Sequence, residues 1–174
     1  MPKVGELKLP TDSITVQVSK KAEWNEVRSL EEADFFTIGY ASRTLADFVA
    51  ALKSAGVSTV VDVRQFAVSM YKPDFSKRNL QTALEAEGIE YVHLPEMGVP
   101  REIRGLALGQ PDRDRIWEWY DANVAVEYRR NLHTFFNGAE HPVAFLCVEL
   151  DPTSCHRHRL ALALEDHGLR GYDL

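Results

Sequence analysis

A chain of 174 residues is long enough to bury a proper core, and one domain is expected at that length. With 45% hydrophobic and 26% charged residues it has the composition of an ordinary globular protein. A net charge of −6 argues against coating DNA by bulk electrostatics, no apolar run approaches a membrane span, and two cysteines make no disulfide framework.

The opening stretch "MPKVGELKLPTDS" lacks the apolar core of a secretory signal, so a cytoplasmic location with reduced thiols is expected, and no membrane partner. Residues 1–34 read as an N-terminal extension. "SITVQVS" alternates like a half-exposed strand, and "KKAEWNEVRSLEEA" is mostly polar. Residues 35–174 read as a single α/β domain. "DFFTIG" is a short strand ending at Gly39. Thr44 caps the next helix, with Asp47 three residues on as in a capping box, and Leu45, Phe48, Val49 and Leu52 follow helical spacing up to Gly56. "STVVDV" is the β-branched run of a buried parallel strand. Ser76 caps a second helix with Leu80, Ala83 and Leu84 on one face, and Gly88 ends it. "IEYVHL" is the third strand. A long helical region is predicted over 112–137, with Ile116, Trp119, Tyr120, Tyr128, Leu132 and Phe136 in core contacts. "VAFLCVE" is the fourth strand, "SCHRHRLALALEDHG" the last helix, and "LRGYDL" a short fifth strand.

Strands alternating with helices predict a three-layer α/β/α fold, Rossmann-like or flavodoxin-like, with a mostly parallel sheet and an N-terminal arm. Right-handed crossovers place the loops 39–44, 64–76, 95–105 and 150–159 on one edge, where open α/β sheets bind ligands. Those loops hold Arg43, Arg64, Lys72, Arg101, Arg104, Arg157 and Arg159, a concentration of cations in an acidic chain. The first turn of the last helix is unusual, because a helix N-terminus disfavours cations unless an anion sits there with them. Arg matches phosphate or carboxylate with a bidentate fork. The expected ligand is therefore anionic, with Gly39, Tyr40, Arg64, Lys72, Arg101 and Arg157 around it. Gly39 would allow close backbone approach, and Tyr40 would stack on a ring or donate to a phosphate. Tyr71 and Phe75 would cover the ligand, or else pack their loop onto the body.

Cys155 is the candidate nucleophile, since a helix N-terminus beside Arg157 and His156 should lower a thiol's pKa. His156 or His158 is a candidate base. Asp62 and Arg64 share one face of the second strand's end, where they either act on a ligand or form a structural ion pair. Glu149 ends the fourth strand and reaches the same edge as a partner for general acid–base work. Neither cysteine fits the C-x5-R loop of cysteine phosphatases: Ala161 follows Cys155 by six and Thr153 follows Cys147 by six. Cys147 reads as core. Cys155 and His158 share a helix face beside His156, but zinc would need Asp62 or Glu149 as well, and no C-x2-C or H-E-x2-H pattern is present. No metal and no cofactor are therefore expected.

The same loops carry a resemblance. The "TIGY" turn, the "DVR" strand end, the "FSK" helix start, "GIEY", a Gly turn followed by "PR", and "CVE…CHR" together resemble the domain of unknown function 488 family over residues 36–168. The chain departs from the usual pattern at Phe66-Ala67, where the family often has Pro, and at Met97-Gly98-Val99, where it has L-G-G. The resemblance implies a compact α/β domain and brings no settled function.

The functional expectation is a pocket for a phosphate-bearing ligand, a nucleotide or nucleic-acid end. Arg64, Arg101 and Arg157 would hold it, and Cys155, His156, Asp62 or Glu149 would carry out hydrolysis. The competing expectations are a non-catalytic nucleotide or nucleic-acid module using the same cations, and a protein-interaction module docking through residues 1–34.

Overall fold

The computed structural model describes residues 21, 23–26, 28–105, 114–125 and 139–174. Five parallel strands, β1 (Phe35–Gly39), β2 (Thr59–Asp62), β3 (Glu90–His93), β4 (Val143–Cys147) and β5 (Gly171–Asp173), form one sheet in the order β3-β2-β4-β1-β5. That order differs from both doubly wound arrangements expected, because β4 lies between β2 and β1. The described helices are α1 (Leu45–Ser54), α2 (Lys77–Ala86), α3 (Arg101–Gly105), α4 (Asp114–Tyr120) and α5 (His156–Glu165).

Alternation along the strands divides the core into two layers. Ile38, Val60 and Leu146 face α1 and α2, where they meet Phe48, Leu52, Leu80 and Leu84. Phe35, Val61, Val143 and Phe145 face the opposite way and pack with Leu160 and Leu164 of α5. Each fully buried Leu contributes about 1.5–3 kcal/mol. The three-layer α/β/α expectation thus describes the body. Helix α1 starts as its capping box predicts: Asp47 N–H donates to Thr44 Oγ1 at 3.1 Å. Ser76 stands at the start of α2 without capping it, because its hydroxyl oxygen instead accepts from Ser69 N–H in the preceding loop at 3.0 Å.

Two helix assignments also change within the described residues. Arg101–Gly105, expected in a loop, is the short helix α3 after Pro100. The long helix of 112–137 is described at 114–125, where α4 gives way to a π-helical turn, Asp121–Ala125. Ile116, Tyr120 and Val124 make a small third cluster with Val99, and Trp119 packs against it. Tyr128, Leu132 and Phe136 lie outside the described residues, as does "SITVQVS". The described end of the N-terminal extension is packed onto the body. Trp24 is buried among the α5-side core residues, and Arg28 forks onto Glu165 with bonds of 3.0 and 2.9 Å. No described helix is long and apolar enough to cross a membrane.

Candidate functional site

The carboxyl ends of β1, β2 and β4 bring together most of the residues singled out in the sequence, but on two different faces of the sheet. Strand β4 sits between the other two, and the chain leaves β2 and β1 toward the α1/α2 side and β4 toward the α5 side. Side chains at neighbouring strand ends are therefore sorted between two layers.

On the α1/α2 side, Asp62 and Arg64 point the same way from β2, as their spacing requires. Asp62 is fully buried and its carboxylate is fully occupied. It accepts from Arg64 N–H at 3.1 Å, Nε at 2.9 Å and Nη2 at 2.6 Å, and from the Tyr91 hydroxyl at 2.5 Å. Arg64 also donates to Tyr40 Oη at 3.2 Å, and its carbonyl lies 2.8 Å from His93 Nε2. Burial works against the Arg64 charge, but the bonds and charge of Asp62 outweigh it and raise its pKa. Burial, then the Asp62 charge, pushes the Tyr91 pKa up. Tyr40 is buried and stacks on Phe75, ring centroids 4.5 Å apart, so its stacking partner is the protein's own loop. Lys72 of the same loop is bound to the backbone of the loop after β1, donating to Arg43 O at 2.6 Å.

On the α5 side, Arg157 is buried with no exposed side-chain surface. It donates to the carbonyls of Glu149 at 2.6 Å and Leu150 at 3.3 Å, and to Asp173 Oδ1 at 3.3 Å. Thr37 Oγ1 donates to the same Asp173 oxygen at 2.6 Å. The anion that draws a cation into the first turn of α5 is thus a carboxylate of the chain's own last strand, delivered by the β1–β5 register that pairs Thr37 with Asp173. Arg64 and Arg157, both expected to clamp an external anion, are committed to Asp62 and Asp173. Arg159 pairs with Asp121. Gly39 does permit a close approach, and what approaches is backbone: a Cβ there would sit 1.8 Å from Glu149 O.

A third group lies under these, also on the α5 side. Cys147 ends β4, Cys155 precedes α5 and His156 begins it, all three buried. Both ring nitrogens of His156 lie 3.7–3.8 Å from Cys147 Sγ, and Nδ1 lies 3.9 Å from Cys155 Sγ. His156 Nε2 is 2.8 Å from Val63 O. Glu149, half-buried, accepts from Cys147 Sγ at 3.8 Å. The expected low pKa of Cys155 is overturned. Burial, and then the neighbouring Cys147, push this thiol up, because the sulfur is enclosed. For His156, burial opposes the charged ring while the Cys155 sulfur and the Val63 carbonyl favour it, and the balance raises its pKa. His158 stands apart, packed edge-on against Trp24 with centroids 4.5 Å apart, and burial lowers its pKa to about 4. The sequence took Cys147 for core and considered His158 with Cys155. Cys147 is core, 2% exposed, and also lies beside His156, while His158 is elsewhere; the signal was available, because Cys147 is the α5-facing position of β4 nearest the loop.

The outer rim is different in character. Loop 65–72 exposes Phe66 at 56%, Val68 at 70%, Met70 at 88% and Tyr71 at 99%. Arg101 of α3 is exposed and lies over the Phe66 ring, 5.4 Å from its centroid. Lys77 N–H donates to Ala67 O at 2.7 Å, which sets the start of α2 beside the same strip. An open cavity of about 330 Å³, lined by Arg28, Glu32, Glu165 and Arg170 among others, lies at the opposite edge, by the beginning of β5.

Residues 44–164, well over half of the chain, match the family model described as the domain of unknown function DUF488. The chain belongs to this family. No curated protein and no solved structure matches it. The DUF488 region spans the Asp62–Arg64 pair, the Cys147–Cys155–His156 group, Arg157 and the exposed loop, while Gly39, Tyr40 and Asp173 lie just outside the matched residues. Of the positions where the chain departs from the expected pattern, Phe66 is on the rim, whereas Ala67, Met97 and Val99 are buried. Phe66 is solvent-exposed under Arg101. At Met97-Gly98-Val99 the one glycine retained is Gly98, where a Cβ would meet Gln65 N at 2.2 Å.

Proposed function

We propose that the protein binds a phosphate-bearing ligand, single-stranded nucleic acid, at the carboxyl edge of its sheet. The observation that carries this is the exposed strip of loop 65–72 with cations around it. Tyr71 and Phe66 offer rings on which bases can stack, and stacking of this kind contributes about 1–3 kcal/mol per base without reading sequence. Arg101 already lies over Phe66, and Arg104, Lys77 and Arg78 are exposed on the adjoining helix starts and can meet phosphates. Exposed Asp74, Glu96 and Glu102 share the rim, so the attraction is modest and strongly dependent on salt. Arg64 and Arg157 support the surface from beneath by fixing the strand ends rather than by touching phosphate.

Binding is favoured over hydrolysis. Cys155 is 2% exposed and His156 4%, and the Asp62 carboxylate is saturated by Arg64 and Tyr91. Glu149 is the least enclosed of the four residues expected to act on a substrate.

The test is fluorescence anisotropy with labelled single-stranded DNA and RNA oligonucleotides at low salt, against wild type and Tyr71→Ala. Binding that weakens in Tyr71→Ala by about 5- to 150-fold, the equivalent of about 1–3 kcal/mol, fits the proposal. Absence of binding to either nucleic acid, or equal binding by Tyr71→Ala, sinks it. A mononucleotide competing as well as the oligonucleotide would confine the ligand to a single base and phosphate.

A further inference from the structure

The Cys147–Cys155–His156 group has features that packing alone does not require. The ligating atoms of the three side chains all lie within 4.8 Å of one another, inside an otherwise apolar layer. The His156 ring has one nitrogen engaged: in the neutral ring Nε2–H donates to Val63 O at 2.8 Å. The other, Nδ1, contacts only the two sulfurs among the described residues, at 3.7 and 3.9 Å, distances at which a sulfur is a weak partner. A histidine whose outer N–H is fixed by a backbone carbonyl, leaving the second nitrogen toward two thiols, matches the way metal-ligating imidazoles are oriented.

We infer that Cys147, Cys155 and His156 form a binding site for one thiophilic divalent cation, zinc above all, with Glu149 as the fourth ligand. This stands independently of the nucleic-acid reading, since it rests on the α5-side layer and not on the rim. The spacing supports it. Tetrahedral zinc with Zn–S bonds of about 2.3 Å and Zn–N bonds of about 2.0–2.1 Å requires S···N edges of about 3.6 Å and an S···S edge of about 3.8 Å. The S···N separations here are 3.7 and 3.9 Å. The near-equal distances of both ring nitrogens from Cys147 Sγ place that sulfur against the side of the ring, so binding requires the side chains to turn about their torsions. The Glu149 carboxylate contacts Cys147 Sγ at 3.8 Å but lies outside the three-residue cluster, so it would swing inward to supply the remaining hard donor. Two thiols, one imidazole and one carboxylate suit zinc better than calcium or magnesium, which want all-oxygen shells. The metal enters as the dication, the two thiol protons leave to solvent, and the bound site would staple the end of β4 to the start of α5.

The full-length chain, reduced and freed of metal with a chelator, is titrated with Co2+ and then Zn2+. The expected result is a saturable spectrum with thiolate-to-cobalt charge transfer and the intense visible bands of tetrahedral cobalt, bleached by Zn2+. Native mass spectrometry should then show one zinc added and two protons lost. Cys147→Ser should remove about half of the charge-transfer intensity, and where that variant does not fold, the mass balance on wild type decides alone. A folded wild type that leaves Co2+ with the weak spectrum of the aqueous ion overturns the inference. So does native protein in which Cys147 and Cys155 are joined in a disulfide that blocks the metal.

Discussion

Arg157 and Asp173 face each other at 3.3 Å with no exposed surface on either side chain, joining the first turn of α5 to the last strand of the sheet. Breaking the pair from the arginine side leaves the buried Asp173 carboxylate with only Lys21 Nζ at 3.5 Å and the Thr37 hydroxyl at 2.6 Å among the described residues. Arg157→Met should therefore cost about 3–5 kcal/mol in urea denaturation. Asp173→Asn added to Arg157→Met should recover part of that loss, because the double variant buries neither member of the pair as a charge and leaves only the part-exposed Lys21 without its carboxylate. A ligand-clamping arginine would behave in the opposite way, losing affinity with little loss of stability.

Gly39 tests the same junction through the backbone. A methyl group there would sit 1.8 Å from Glu149 O and 3.2 Å from Arg157 Nη1, so Gly39→Ala must push the β4–α5 loop off β1 and disturb the Arg157–Glu149 bond. A loss at or above the upper end of the about 1–3 kcal/mol typical of overpacking is expected in thermal or urea unfolding. Gly56→Ala is the control. Its φ of +69° costs about 1–2 kcal/mol by strain, but nothing lies within 4 Å of the added carbon. Equal losses in the two variants would mean that close approach is not what Gly39 is for.

How much of this was legible in the sequence depends on how far each feature reaches along the chain. The Thr44–Asp47 cap and the Asp62–Arg64 pair are local, three and two residues apart; spacing predicts the cap and puts Asp62 and Arg64 on one face, where an ion pair is one of two readings. Arg157 and Asp173 were each visible, but their meeting depends on β5 lying beside β1, which no pattern within either segment specifies. The cations of the last helix were therefore assigned to an external anion. The thiol followed the same course: helix position argued for a lowered Cys155 pKa, whereas enclosure by the α5-side layer reverses the sign. Gathering of the loops on one edge follows from handedness, and the outer aromatic strip was read in part, since Tyr71 is exposed as needed while Phe75 packs inward against Tyr40 and Phe48.

Tyr91 makes the stability of the β2–β3 pair sensitive to alkali. Burial and the Asp62 carboxylate raise its pKa above the ordinary tyrosine value of 10.0, so the folded chain keeps the phenol proton where the unfolded chain releases it. The native state then binds more protons than the unfolded state. The contribution is fully present below pH about 10 and is lost as pH rises beyond it, at up to about 1.4 kcal/mol per pH unit. Urea midpoints of wild type should fall more steeply than those of Tyr91→Phe above that pH. The variant should itself lose about 1–3 kcal/mol at neutral pH, because Asp62 gives up a buried hydrogen bond. Parallel curves for the two proteins would mean that Tyr91 ionises freely in the fold.

Arg101 gives the rim its sharpest salt signature. It is exposed, it lies over Phe66, and no ion pair engages it among the described residues. If it meets a phosphate, Arg101→Ala should weaken oligonucleotide binding and lower the magnitude of the slope of log K against log salt by about 0.7, the contribution of one phosphate on a single strand. Tyr71→Ala should weaken binding while leaving that slope unchanged, because stacking releases no counterions. The pair of slopes, measured by anisotropy over a salt series, separates the charge of the rim from its aromatic surface. An unchanged slope in Arg101→Ala would assign Arg101 to packing on Phe66 and move the phosphate contacts to Lys77, Arg78 and Arg104.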